Sequence, residues 1–377
     1  MPHATPEICR RFSTLQREVD ALVPAMAAAL HRDSALVIVF VSSAYDLDAL
    51  APALRAAFTG VVIGCTTAGE IGASGYQRGG LTAMSFDRDY VRAETWAFDL
   101  TTDDGAERVC AGVEEELSRT PSEENAAGVL LLDGLSSREE RAAAALYRSL
   151  GHLPIVGGSA GDDLAFERTA VLDGDRFVSG RGTLTLIRTA LPLTTFKYQH
   201  HVPTARRLVV TAADPELRVI HEIDGLPALE GYAAKLGVTT DAFRHRWELT
   251  RLHPLMLRVG SEHFVRSIRE ADDDGALHLY CAIDRGAVLS IGETRDAVSA
   301  LRDHLDSLHR QGPIAALLVF DCILRRLELE ERELTDTMGS LLSAAGAIGF
   351  STYGEQFGPL HVNQTMVGLA LGTPPHE

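Results

Sequence analysis

The sequence predicts an α/β fold of two domains with mixed sheets built from repeated β-α-β-turn-β units, with an internal duplication in the N-terminal domain. Three observations carry this. Ile63-Gly64-Cys65-Thr66-Thr67-Ala68-Gly69-Glu70 returns as Val156-Gly157-Gly158-Ser159-Ala160-Gly161-Asp162, and again as Ile348-Gly349-Phe350-Ser351-Thr352-Tyr353-Gly354-Glu355. An apolar run and then a helix-like stretch precede each copy, the runs being Ala35 to Val41, Gly128 to Leu132 and Ala315 to Phe320. A strand-like segment follows each copy: Gly80 to Phe86, Gly182 to Ile187 and Gln364 to Leu371. Because each unit holds both a helical crossover and a strand hairpin, a purely parallel sheet is not expected.

The first two copies lie roughly ninety residues apart, far beyond the ~20–50 residue period of a solenoid or propeller, so each is a large unit within a domain. Their helices show the three-and-four spacing of one buried face, at Leu50, Ala53, Leu54, Ala57 and Phe58 and at Ala142, Ala145, Leu146 and Leu150. A chain of 377 residues that is 46% apolar is long enough for two cores. The proline-bearing break Thr189-Ala190-Leu191-Pro192-Leu193-Thr194 is the expected boundary, giving domains 1–190 and 191–377. The second domain is expected to hold strands at Leu208 to Thr211 and Leu255 to Val259, helices at Ala228 to Leu236 and Thr294 to His309, and a third unit from Ile314 to Leu371.

A net charge of −17 argues against nucleic acid or an anionic membrane as partner, unless the fold gathers a basic patch. No stretch approaches the ~20 continuous apolar residues of a membrane span, and Met1 to Glu7 lacks the basic-then-apolar pattern of a signal, so a cytoplasmic location is expected. The five cysteines are scattered outside metal or redox spacing. Only Cys65, at a strand end where turn amides could lower a thiol pKa, bears on chemistry. There is no Gly-x-Ser-x-Gly elbow, P-loop or His-Glu-x-x-His, and the glycine-rich turns run into strands rather than helix N-termini; no enzyme activity is expected.

The segments Gly64 to Gly80, Gly157 to Asp163 and Gly349 to Gly358 resemble, in order and spacing, the FIST domain, a bacterial sensory module with N- and C-terminal parts. The resemblance covers almost the whole chain, from about Ser34 to Gly372. It implies a ligand-sensing signal protein acting with a histidine kinase or a cyclic-di-GMP enzyme, a diguanylate cyclase or phosphodiesterase. A narrower likeness lies at Gln199 to Thr211, Val265 to Ile268 and Cys281 to Leu289, which look like the branch of FIST proteins described as haem-based nitric oxide sensors. That likeness implies haem b held by a histidine.

A sensor haem needs a neutral imidazole on iron, an apolar pocket and cations for the propionates. His200 and His201 stand beside Phe196, Tyr198 and Val202, with Arg206 and Arg207 a few residues on. In an extended segment the two histidines would point to opposite faces, so one is expected to enter a pocket. His200 is the expected iron ligand, since it shares a face with Tyr198 and Val202 and matches the place of the histidine in that branch. A His-His pair is also an ordinary structural feature in a chain with 14 histidines, and His361 is held in reserve.

The turn acids Glu70, Asp162 and Glu355 admit two accounts. They could hold the ammonium of an amino-acid-like ligand, which would make the chain a haem-independent metabolite receptor. Alternatively each glycine supplies positive φ or close approach while its acid accepts turn amides, and three copies are more easily three turns than three ligand sites. Gly69, Gly161 and Gly354 are accordingly expected at conformations poorly open to other residues. No heptad or apolar stripe specifies an oligomer, although a homodimer is compatible with the sequence.

Overall fold

The computed structural model describes residues 7–121 and 123–374. It is 27% helix and 41% strand, with several mixed sheets, and divides into two compact units. The first comprises residues up to Tyr198, Arg302–Leu360 and residues from Met366 onward; the second comprises Gln199–Leu301 and His361–Thr365.

The first repeat opens with strand β1 (Cys9–Thr14) and helix α1 (Val19–Ala29). It continues through β2 (Ser34–Ser42), α2 (Leu47–Ala57), β3 (Val61–Thr67), the hairpin β4 (Glu70–Gly72) and β5 (Gly75–Gln77), and β6 (Leu81–Asp87). Asp46 caps α2 by accepting from the Ala49 amide at 3.0 Å. The helix buries Leu50, Ala51 and Leu54 in a core with Val37, Val39, Val41 and Phe58. The second repeat has the same order: β7 (Arg92–Asp99), α3 (Gly105–Ser118), β8 (Asn125–Leu132), α4 (Glu139–Leu150), β9 (Ile155–Ser159), the hairpin β10 (Val171–Asp173) and β11 (Arg176–Val178), and β12 (Arg181–Thr189). The matched order expected for 35–86 and 128–187 is present strand for strand.

Strand β13 (Leu193–Tyr198) ends the first passage through this unit. The second unit is a fully antiparallel sheet of β14 (His201–Asp214), β15 (Val219–Ile223), β16 (Leu226–Pro227), β17 (Leu255–Val259), β18 (Glu262–Arg266), β19 (Ile268–Ala271), β20 (Leu277–Leu279) and β21 (Val288–Thr294). Its order is β18-β17-β21-β14-β15-β20-β19, with β16 on β15. Helices α5 (Ala228–Leu236), α6 (Thr240–Arg244) and α7 (Leu249–Leu252) complete it; Leu229, Tyr232, Phe243 and Leu249 share a core with Leu208, Val210 and Ile220. Gly237, at φ 76°, ends α5 in the left-handed conformation that glycine adopts without a β-carbon clash.

Helix α8 (Ala297–Arg310) leads the chain back into the first unit. There β22 (Ile314–Cys322), α9 (Ile323–Glu331), α10 (Thr335–Ala344), β23 (Ala347–Thr352), β24 (Glu355–Phe357), β25 (Leu360–Val362) and β26 (Met366–Gly372) make the third repeat. The chain passes into the second unit within β25 and returns at β26.

Within the first unit each repeat builds a four-strand core, β1-β6-β2-β3, β7-β12-β8-β9 and β13-β26-β22-β23, in which the strands joined by the helical crossover, β2 with β3, β8 with β9 and β22 with β23, run parallel and the other neighbours antiparallel. Each core is extended by the hairpin of another repeat. Strand β4 pairs with β23, β10 with β3, and β24 with β9. The exchange is cyclic, so every sheet depends on a strand from elsewhere in the chain and none of these inner edges is left open. The expected cut between residues 190 and 191 therefore does not separate the compact units. The third repeat lies with the first two because its sheet is completed by β4 and β5 and its hairpin completes the sheet of the second repeat.

The glycine that opens each phrase has one cause. In the parallel ladders Val39 faces Gly64, Leu130 faces Gly157 and Val319 faces Gly349. A β-carbon on these glycines would stand 2.2, 1.8 and 1.8 Å from the partner's carbonyl oxygen, so no larger residue fits. Phe40, Phe320 and Phe350 pack where the first and third sheets meet, with ring centroids 4.6 to 6.0 Å apart.

Candidate functional site

The three phrases end in turns that bond to one another's strand ends. Ala68 N donates to Ser351 O at 3.0 Å and Ser351 N to Gly69 O at 2.7 Å. Gly161 N donates to Thr66 O at 3.0 Å and Asp163 N to Thr67 O at 3.1 Å, while Tyr353 N donates to Ser159 O at 3.0 Å and Ser159 N to Gly354 O at 2.8 Å. Gly69 and Gly354 lie at φ 120° and 143°, in the region that favours glycine. Gly161 does not take a positive φ; a β-carbon there would stand 2.6 Å from Ala68 N. Its demand is close approach, and the left-handed residues of that turn are Asp163, Leu164 and Phe166.

All three turn acids are buried and bonded. Glu70 accepts from Thr67 Oγ1 at 2.5 Å and from Gly80 N at 2.9 Å, and Glu355 accepts from Thr352 Oγ1 at 2.5 Å. Asp162 accepts from the amides of Phe166, Glu167 and Arg168 at 2.7 to 3.0 Å and from the Tyr353 hydroxyl. These bonds are those of acids that close turns. Burial pushes the Glu70 pKa up to about 7, with the hydrogen bonds and Arg326 opposing and Asp163 adding to the rise.

A cavity of about 380 Å³ opens beside this cluster, with Tyr45, Asp46, Asp48, Asp162, Glu167 and Arg168 among its walls. Burial, together with the Glu70 carboxylate, pushes the Tyr45 pKa up to about 12 against the opposing effect of Arg17. Cys65 is wholly buried, and its thiol pKa is raised well above the ordinary value rather than lowered by the turn.

Sequence reasoning missed Tyr353 and Arg326 at this cluster. Tyr353 donates to Asp162, accepts from Leu164 N at 2.9 Å and stacks on Phe166 with centroids 4.9 Å apart. The signal was a departure from the repeat, since the other copies carry Ala68 and Ala160 at this place. Arg326 donates to Gln77 O at 2.8 Å and stands over the Tyr76 ring; a lone basic pair on a helix gave no sign of it.

The structure brings His200 and His201 together. Both are buried, at 1% and 0% exposure, and their ring centroids are 4.3 Å apart. The expectation that they face opposite ways fails because β13 ends at Tyr198 and β14 begins at His201, so Gln199 and His200 form a link outside the strand alternation. His201 Nε2 lies 3.0 Å from Arg251 O, and His200 O accepts from Arg295 N at 2.8 Å. A carbonyl can only accept, so the His201 proton sits on Nε2. Ligand nitrogens of the two rings lie within 4.8 Å of each other, close enough to approach one ion together. Arg206 and Arg207 are exposed on β14, and Arg206 Nη1 donates to Lys235 O at 3.3 Å.

Among the described residues no helix is long and apolar enough to cross a membrane. No curated protein matches the chain in sequence. Two family models do: the FIST N domain over residues 35–226 and the FIST C domain over residues 228–358. The first covers the first repeat from β2 onward and the whole second repeat and continues to β16, and the second covers the rest of the antiparallel unit through β21 and the third phrase. With its turns, repeats and matched segments in this order, the chain belongs to the FIST family, whose domains are signalling sensors of small ligands.

Proposed function

We propose that this protein is a cytoplasmic haem-based sensor of nitric oxide, not an enzyme, and that it reports its ligand state to a partner histidine kinase or cyclic-di-GMP enzyme. The observation that supports this reading best is the pair of adjacent buried imidazoles at His200 and His201. The pair fits a haem iron in donor chemistry. Arg251 O orients His201 beside His200, and His200 would be the iron ligand, as the resemblance to the haem-based branch implies. Exposed guanidiniums at Arg206 and Arg207 suit carboxylates that face water. Haem iron, when bound, supplies a coordination position for a diatomic gas. The chain's own part is to hold an imidazole nitrogen in place, keep water from it by burial, and convert a change at His200 into strain on the short link between β13 and β14.

The test is a haem titration of the purified protein and of His200→Ala and His201→Ala, read by Soret absorption with and without nitric oxide. A Soret band that is lost or strongly weakened in His200→Ala supports the reading. Absence of saturable haem binding, or a spectrum indifferent to both substitutions, overturns it.

A second reading rests on the 380 Å³ cavity, where Asp46, Asp48 and Glu167 gather beside Asp162 and would suit the ammonium of an amino-acid-like metabolite. A colourless protein whose melting temperature rises with amino acids, and rises less in Glu167→Gln, would favour it.

A further inference from the structure

An open cleft of about 640 Å³ lies in the first unit at the end opposite the glycine turns, where β2, β3 and β7 begin and β12 ends. Its walls carry Arg55, Arg88, Arg92 and Arg188, and Glu94 is its one acidic side chain. In a protein of net charge −17, these four guanidiniums are gathered on one concavity. The size is that of a small-molecule site, too confined for a nucleic-acid duplex.

The arginines are not equally committed. Arg88 pairs with Asp33 at 2.6 Å, Arg92 pairs with Glu124, and Arg188 pairs with Glu116 and, at 3.6 Å, with Glu94. Arg55 is held by a carbonyl, Gly60 O at 3.1 Å, which leaves its charge uncompensated. Two further lining residues are buried with a polar atom that has no hydrogen-bond partner: Ser34 Oγ, in a residue 0% exposed, and Arg188 Nε, in a residue 5% exposed. A buried polar atom left unpaired costs about 1–3 kcal/mol, so a ligand group that reached either atom would gain a hydrogen bond.

We propose that this cleft binds a small molecule carrying at least two phosphate or carboxylate groups, with Arg55 as the principal cation and Ser34 and Arg188 completing the donor set. Guanidinium forks match both groups in planar geometry, and the aliphatic side chains of Val61, Val62 and Val91 offer an apolar floor to the rest of the ligand. The site is separate from the histidine pair and stands whether or not haem is bound.

The experiment is isothermal titration calorimetry of the full chain with pyrophosphate and, separately, with citrate, at low ionic strength and near 0.15 M salt on the order of physiological conditions. Saturable binding is expected, weaker at the higher salt. Arg55→Ala should weaken it at least about tenfold, the loss of one charged hydrogen bond. Arg244→Ala, an exposed guanidinium in the second unit that donates to Asp272 O, should leave it unchanged. Ser34→Ala should weaken binding without lowering the melting temperature, because the hydroxyl it removes has no partner to lose. Tighter pyrophosphate would assign the site to phosphates and tighter citrate to carboxylates. No saturable binding of either anion, or binding that Arg55→Ala leaves intact, overturns the proposal.

Discussion

Thr67 donates its hydroxyl to Glu70 at 2.5 Å, and the same three-residue step recurs as Thr352 to Glu355 at 2.5 Å. The second repeat departs from it: Ser159 Oγ accepts from Gln356 Nε2 at 2.8 Å, and Asp162 instead gathers three amides and a tyrosine. Two turns are thus closed by a hydroxyl from their own strand, and the third by a loop and a residue 191 positions away. The cavity of about 380 Å³ lies beside Asp162.

Glu70 should make stability pH-dependent. Its pKa is raised from 4.5 to about 7, so the folded state binds the proton more tightly than the unfolded chain. Stability from this group is full below about pH 4.5, falls as the pH rises toward 7, and is level above it. Glu70→Gln mimics the protonated form and should gain on the parent protein across that window, by up to about 3 kcal/mol. Urea midpoints at pH 5 and pH 8 measure it; a gain that is the same at both pH values would show that Glu70 does not titrate there.

Gly69→Ala should destabilise more than Gly174→Ala. Both glycines have positive φ, at 120° and 64°, but a β-carbon at Gly69 would also meet Arg326 Nη1 and Gln77 O, whereas at Gly174 it meets nothing within 4 Å. The expected cost is about 1 kcal/mol for Gly174→Ala and at least about 2 for Gly69→Ala. Equal midpoint shifts in chemical denaturation would remove the role given to the phrase's glycine.

Asp321→Ala should be among the most destabilising single changes. The Asp321 carboxylate accepts from Arg325 Nε at 2.5 Å and from the Tyr76 hydroxyl, with Asp321 and Arg325 both at 0% exposure, and the Arg325 guanidinium lies 4.8 Å from the centre of the Tyr198 ring. Removing one partner of a buried ion pair typically costs about 3–5 kcal/mol. Because Tyr76 belongs to the first repeat's hairpin and Asp321 to the third repeat's sheet, proteolysis near residues 75–80 should accelerate as well. Native-like protection there would place the hairpin's anchorage elsewhere.

His201→Ala is expected to reduce haem affinity, though by less than His200→Ala, because the two rings are neighbours rather than opposed. A haem titration in which His201→Ala is the more severe change would move the iron ligand to the ring held by Arg251 O.

The three phrases, their helices and their closing strands were legible in the sequence because each rests on local rules: alternating or continuous apolar strands, one buried helical face, and glycine where a backbone needs it. Helix α5 was expected at Ala228 to Leu236 and lies there, and strand β17 at Leu255 to Val259 likewise. Gly64, Gly157 and Gly349 were visible as a pattern, while their cause, a facing carbonyl across a parallel ladder, is a property of the paired strands.

Only the tertiary structure decided which sheet each hairpin joins, since β4, β10 and β24 carry nothing in their three residues that names a partner strand hundreds of positions away or in another repeat. It alone placed Tyr353 on Asp162, put His200 beside His201, and collected Arg55, Arg88, Arg92 and Arg188 from three separate segments into one cleft. Periodicity and turn chemistry act over a few residues and are written along the chain. Charge gathered in a cleft and hydrogen bonds between repeats depend on distances that exist only after the sheets have closed.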